Sequence, residues 1–109
     1  MVHNYRGNYI YSQKVISEWD STAIGVYYCG APNSPTSLKP VLYIGKGAGE
    51  GGMRARLLDH LENDNWSDVT HFGYRTCDTV KEAEDFEASE IKRCQPKYNQ
   101  VGKTSGRTW

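Results

Sequence analysis

The chain has 109 residues, a formal net charge of zero and 38% apolar side chains. That length allows one modest core rather than a catalytic domain plus a separate targeting domain, and the charge balance supplies no global basic field to advertise a nucleic-acid partner. No run approaches the roughly 20 apolar residues of a membrane helix, and three cysteines in no CxxC pair, with three scattered histidines, argue against a disulfide framework or a zinc site.

In chain order, Met1–Asn8 carries Arg6 but leads into no apolar stretch and no small-residue cleavage site. No secretory signal, no membrane partner and a cytoplasmic location are therefore expected. Tyr5, Tyr9, Tyr11, Val15, Ile16 and Trp19 form a loose pattern that reads as a strand followed by a short helix. Ala23–Cys29 (AIGVYYC) and Val41–Gly45 (VLYIG) are β-branched and aromatic runs parted by Gly30–Pro40, a segment with three prolines, Asn33 and two serines. They predict a hairpin with a long loop.

Gly47–Gly52 (GAGEGG) is too rich in glycine for regular structure. Met53, Leu57 and Leu61 then fall at helical spacing, which predicts an amphipathic helix starting near Gly52. Asn63–Asp68 reads as a polar connection, and the alternation over Val69–Thr76 predicts a third strand. Thr79 followed by Glu82 is a capping-box signature, opening a helix that runs to Cys94 before Pro96 stops it. The element order predicts a single domain over 1–109 of α+β class, a small and mainly antiparallel sheet covered by helices.

Placing the last helix at about 100° per residue puts Val80, Ala83, Glu87, Ile91 and Cys94 in one stripe, with Glu87 at its centre. A carboxylate there is costly unless it is paired, hydrogen-bonded or bound to a metal. The plain alternatives are an ion pair with a buried arginine, or a helix turned so that Phe86 points inward. On the preceding helix Arg56 and His60 are four residues apart and share a face, where a guanidinium could meet a phosphate with both nitrogens; Arg54 points elsewhere.

Lys46 follows a strand and opens the glycine stretch, so two phosphate-binding loops come into question. A Walker-type loop fails because Pro40 and Gly47 stand where it needs Gly and Ser or Thr. Gly47, Gly49 and Gly52 do satisfy GxGxxG between a strand and a helix. A dinucleotide fold, however, needs parallel strands and a longer chain, and a hairpin precedes this loop.

Charge is unevenly spread. Asp78, Glu82, Glu84, Asp85, Glu87 and Glu90 face a single base, Lys81, across Asp78–Glu90, whereas no carboxylate follows Glu90. Lys92, Arg93, Lys97, Lys103 and Arg107 make that last stretch basic, and with Lys46 and Arg54 they are the candidate contacts to a nucleic-acid backbone.

Taken together, Gly25-Val26-Tyr27, Tyr43-Ile44-Gly45-Lys46, Arg56 with His60, Glu87, and Pro96-Lys97-Tyr98-Asn99 resemble the GIY-YIG nuclease superfamily in order and spacing, from about Ala23 to Asn99, with 100–109 a basic tail. The resemblance implies a three-stranded antiparallel sheet flanked by helices, with the catalytic groups gathered on one face. It implies a metal-dependent endonuclease that hydrolyses DNA to a 5′-phosphate and a 3′-hydroxyl. Glu87 would be the protein ligand to Mg²⁺ or Mn²⁺, Arg56 would offset charge on the phosphate, and Tyr27 or Tyr43 would position or deprotonate water. Lys46 would lower the tyrosine pKa, His60 would share or relay the proton, and Asn99 would fix active-site backbone or the tyrosines by hydrogen bonding. RNA as substrate and a non-catalytic binding module are the alternative readings. Specificity would have to come from this surface, a partner or a homodimer, and the segment between Tyr27 and Tyr43 is longer than usual in the family.

Overall fold

The computed structural model describes residues 1–19, 22–32, 38–63 and 66–99. In chain order these form β1 (Arg6–Ile10), α1 (Gln13–Glu18), β2 (Gly25–Gly30), β3 (Val41–Gly47), α2 (Gly52–Asn63), β4 (His71–Thr76) and α3 (Val80–Cys94). The strands make one sheet in the order β1-β4-β2-β3, and every pairing is antiparallel. The expected hairpin is therefore present as β2–β3, and the antiparallel pairing removes the parallel sheet that a dinucleotide-binding loop would need. No helix of the described residues is long and apolar enough to cross a membrane.

The sheet has four strands, not three. β1 adds to the outer edge of β4, with Arg6 opposite Tyr74 and Ile10 opposite His71. Its residues are mostly exposed, as suits an edge strand, and Gly7 interrupts any alternation that would announce it.

Side chains alternate across each strand, so β2 feeds two cores. Tyr27 and Cys29 join Tyr43, Phe72, Ile16, Met53 and Leu57 on the face covered by α1 and α2. Val26 and Tyr28 join Ile44, Cys77 and Ala83 on the face covered by α3. Burial on both faces explains why GVYYCG reads as a continuous apolar run rather than as an alternation.

The helix starts follow their local chemistry. Ser12 caps α1 by accepting from Val15 N at 3.2 Å. α2 opens at Gly52, whose φ of 58° is left-handed, and a side chain there would collide with the Thr22 carbonyl. Thr79 caps α3 by accepting from Glu82 N at 3.1 Å, while Glu82 reaches back to Asp78 N at 3.0 Å instead of to the cap residue itself. α3 ends at Gln95, in the left-handed region at φ 49°, with Pro96 beyond it.

The predicted stripe of α3 is rotated slightly. Val80 is 41% exposed, whereas Ala83 and Glu90 are buried and Phe86, Glu87, Ile91 and Cys94 are half-buried. Phe86 and Glu87 thus share the inward side, so the two placements that the sequence set against one another are both partly realised.

Candidate active site

The site forms along β3, one of the two edge strands of the sheet among the described residues, between α2 on one face and α3 on the other. Tyr27 of β2 is fully buried and points toward α2. Its ring lies over Gly45 of β3, where any Cβ would collide with the Tyr27 hydroxyl, so this close approach requires the glycine of Tyr43-Ile44-Gly45. The rings of Tyr27 and Tyr43 are 6.2 Å apart.

One turn of α2 carries Arg56 and His60 to this pair. His60 Nε2 is 2.8 Å from the Tyr27 hydroxyl oxygen and 3.5 Å from Arg56 Nη2. A guanidinium only donates, so Nε2 is assigned as the unprotonated nitrogen that accepts the Tyr27 O–H. His60 is 4% exposed, while Arg56 is only half-buried and its Nη1 also reaches Asp59 Oδ2 at 3.4 Å. A water-accessible guanidinium beside a buried Tyr–His pair can receive an anion from solvent.

Glu87 approaches from α3. Burial raises the proton affinity of its carboxyl, and the charges of Lys46 and Arg56 oppose that rise while Glu84 adds to it. The field of Glu87 also reaches Tyr27, so the groups on the two faces of the sheet act on one another around the edge of β3. Lys46 donates to Glu84 Oε2 at 3.1 Å.

The Tyr27 phenol is held well above its usual pKa, first by burial, then by Tyr43 and Cys29, with Arg56 pulling the other way. The expectation that Lys46 lowers it is not met. Side chains at neighbouring strand positions alternate, and Lys46 leaves β3 on the α3 face, away from the Tyr27 ring.

Asn99 lies within the helical turn that begins at Lys97, and it is 5% exposed. Its Oδ1 accepts from Ile44 N at 2.8 Å and its Nδ2 donates to Ile44 O at 2.9 Å. The side chain thereby pairs with the free edge of β3 as a neighbouring strand would, and holds backbone rather than the tyrosines.

The basic candidates are mostly engaged. Arg54 donates to the Trp19 carbonyl at 3.2 Å, Lys97 to Asp68 at 3.3 Å, and Arg93 grips Glu90 through Nε at 2.8 Å and Nη2 at 2.9 Å. Lys92 is exposed on the outer side of α3. Lys103 and Arg107 lie outside the described residues.

Two participants went unread in the sequence. Glu90 is the more deeply buried carboxylate of α3 and accepts from Tyr28 Oη at 2.8 Å as well as from Arg93. The spacing of Glu90 and Arg93 was the available signal. Trp66 packs against His60 and Tyr43 at 5.0 and 4.7 Å between ring centres, and nothing in its polar surroundings pointed there.

Among the described residues, no group of three or more His, Cys, Asp or Glu side chains is arranged to hold a metal ion. Glu87 is a single half-buried carboxylate, and an ion such as Mg²⁺ keeps most of its waters and takes one or two carboxylates, while the charges of Lys46 and Arg56 beside it oppose a cation unless they are turned to phosphate. Compared with known proteins, the chain matches no family model, no curated protein and no solved structure.

Proposed function

We propose that this chain is a metal-dependent endonuclease of GIY-YIG type that hydrolyses phosphodiester bonds in DNA, leaving a 5′-phosphate and a 3′-hydroxyl. One observation carries the reading. Arg56, His60 and Tyr27 are linked by hydrogen bonds on one side of β3, and the carboxyl of Glu87 shares their electrostatic field from the other side. These are the residues on which the resemblance rests. The antiparallel β4-β2-β3 core agrees with such a domain, to which β1 is an added edge strand.

In this reading a phosphate enters over the exposed side of Arg56, whose two terminal nitrogens neutralise its non-bridging oxygens. Tyr27, protonated at neutral pH by its burial, donates to His60 and orients the attacking water by its oxygen lone pair. His60, neutral at Nε2, takes up the proton that passes through the hydroxyl. Lys46, swung from the exposed Glu84, is a second phosphate contact, since such surface pairs are held by only about 0–1 kcal/mol. Glu87 would hold Mg²⁺ or Mn²⁺, which when bound polarises the scissile phosphate and stabilises the leaving oxygen.

The test is cleavage of supercoiled plasmid with Mg²⁺ or Mn²⁺, with and without chelator, by the native chain and by Glu87→Gln. Metal-dependent nicking or linearisation that is lost in Glu87→Gln supports the enzyme. Binding without cutting by both proteins moves the reading to a non-catalytic module using the same cleft. Every group named above meets phosphate rather than base edges, so RNA of matching sequence belongs in the same assay.

A further inference from the structure

The connection after α2, a polar link by its composition, brings an indole onto the histidine of the site. Trp66 lies 5.0 Å from the His60 ring at 26° between planes, and 5.2 Å from the Tyr98 ring at 12°. Its other ring neighbours are Tyr43, at 4.7 Å, and Tyr11, at 6.5 Å. Lys97 places its ammonium 5.0 Å above the Tyr98 ring.

The stack is anchored at its outer end. The Tyr98 hydroxyl donates to Asp68 Oδ1 at 2.5 Å, and Lys97 Nζ donates to Asp68 Oδ2 at 3.3 Å. At its inner end His60 Nε2 meets the Tyr27 hydroxyl at 2.8 Å.

An imidazole turns about a broad, roughly two-fold side-chain torsion, so the contacts that Tyr27 and Arg56 make at Nε2 bear on the place of that atom more than on the ring plane, which the rings packed against its faces restrain. A flat indole parallel to the ring supplies that constraint. With four rings already packed on it, Trp66 is wedged into the site rather than presented to an incoming base.

We propose that Trp66 is a positioning residue whose indole, held by Tyr98 and Asp68, fixes the plane of the His60 imidazole so that Nε2 faces the Tyr27 hydroxyl. The consequence for catalysis rests on the nuclease reading; the seating of the ring does not. It also gives Pro96-Lys97-Tyr98-Asn99 two tasks, since Asn99 holds β3 while Tyr98 supports the indole.

The experiment compares Trp66→Leu, which keeps an apolar side chain but removes the flat ring, with Trp66→Phe, which restores one. The first readout is the ¹⁵N shift of His60 Nε2 in the metal-free protein, which follows its hydrogen bond to the Tyr27 hydroxyl far more than nearby ring currents and needs no substrate. It is expected to move toward the value of a nitrogen without that hydrogen bond in Trp66→Leu and to stay near native in Trp66→Phe. The second is kinetics on a cleaved oligonucleotide, where Trp66→Leu should lose on the order of ten- to a hundred-fold in kcat with KM unchanged, and Trp66→Phe should recover much of it.

Unmoved His60 resonances, or an unchanged kcat in folded Trp66→Leu, overturn the proposal. Should Trp66→Leu fail to fold, Tyr98→Leu withdraws the support from the outer side and is read by the same resonances. If the native chain cuts no nucleic acid, the nuclease reading falls, and the His60 Nε2 shift still decides whether Trp66 seats His60.

Discussion

Asn99 holds both backbone groups of Ile44, accepting from its N–H at 2.8 Å and donating to its carbonyl at 2.9 Å, and so completes the edge strand on which the site is built. Removing the side chain leaves a buried donor and a buried acceptor without partners, at about 1–3 kcal/mol for each group left fully unsatisfied. Asn99→Ala should therefore lose on the order of 2 kcal/mol or more in urea unfolding. Asn99→Asp can still accept from Ile44 N–H but sets an oxygen against the carbonyl, so it should fall between native and Ala at best. An Asp variant as stable as native would mean that Asn99 Nδ2 contributes nothing to the edge.

Glu87 should be a residue whose removal stabilises. Its carboxyl is raised by burial, and a raised carboxyl contributes stability fully present only below the unfolded value, near pH 4.3, which is lost as pH rises through the folded pKa. At neutral pH the ionised form is therefore a net cost that Glu87→Gln relieves. The variant is expected to unfold at higher denaturant by an amount on the order of 1 kcal/mol at pH 7, with the gain shrinking toward pH 4. Its cleavage of plasmid should fall by about 10²-fold or more. Lower stability at neutral pH would show instead that Lys46 and Arg56 outweigh the burial.

The hairpin, the starts of the two long helices and the partnership of Arg56 with His60 could all be read from residues, because each depends on local spacing. β1 could not be counted in the sheet, since Arg6–Ile10 is an edge strand with little apolar face and a glycine inside it. Glu90 was hidden among five acids on one helix. Its burial follows from Tyr28 across the core and Arg93 one turn on, a three-body arrangement that a stripe drawn at fixed angle does not show. Lys46 was expected to act on a tyrosine because the two are close in sequence order, yet strand alternation sends it to the opposite face. Trp66 required the third dimension altogether.

Tyr27 should keep its proton to high pH. Burial, Tyr43 and Cys29 all favour the neutral phenol. Burial likewise raises Tyr28, and it pushes Tyr5 up to about 12. A spectrophotometric titration of the native chain should therefore leave these three tyrosines un-ionised until the fold melts, and Tyr27→Phe should remove no absorbance step below that point. The same substitution breaks the bond to His60 Nε2, at about 1 kcal/mol of stability. A tyrosinate step near neutrality that disappears in Tyr27→Phe would restore the phenolate base.

Lys92 and Arg93 are adjacent in sequence and should behave as different kinds of residue. Lys92 is exposed, so Lys92→Ala is expected to leave stability unchanged and, if α3 tracks a phosphate backbone, to reduce the slope of log binding constant against log salt by about 1. Arg93 holds Glu90 with two nitrogens, and Arg93→Ala leaves that carboxylate with Tyr28. The loss should be about 1–2 kcal/mol at neutral pH, less than for a fully buried pair because Arg93 itself faces water. Arg93 depresses the Glu90 pKa, so the stability it contributes is present above the unfolded value near 4.3 and disappears as pH falls through the folded pKa. The native and Arg93→Ala unfolding curves should accordingly be well separated at pH 7 and converge in strong acid. Equal separation at both pH values would assign the cost to lost packing of the arginine stem rather than to the ion pair.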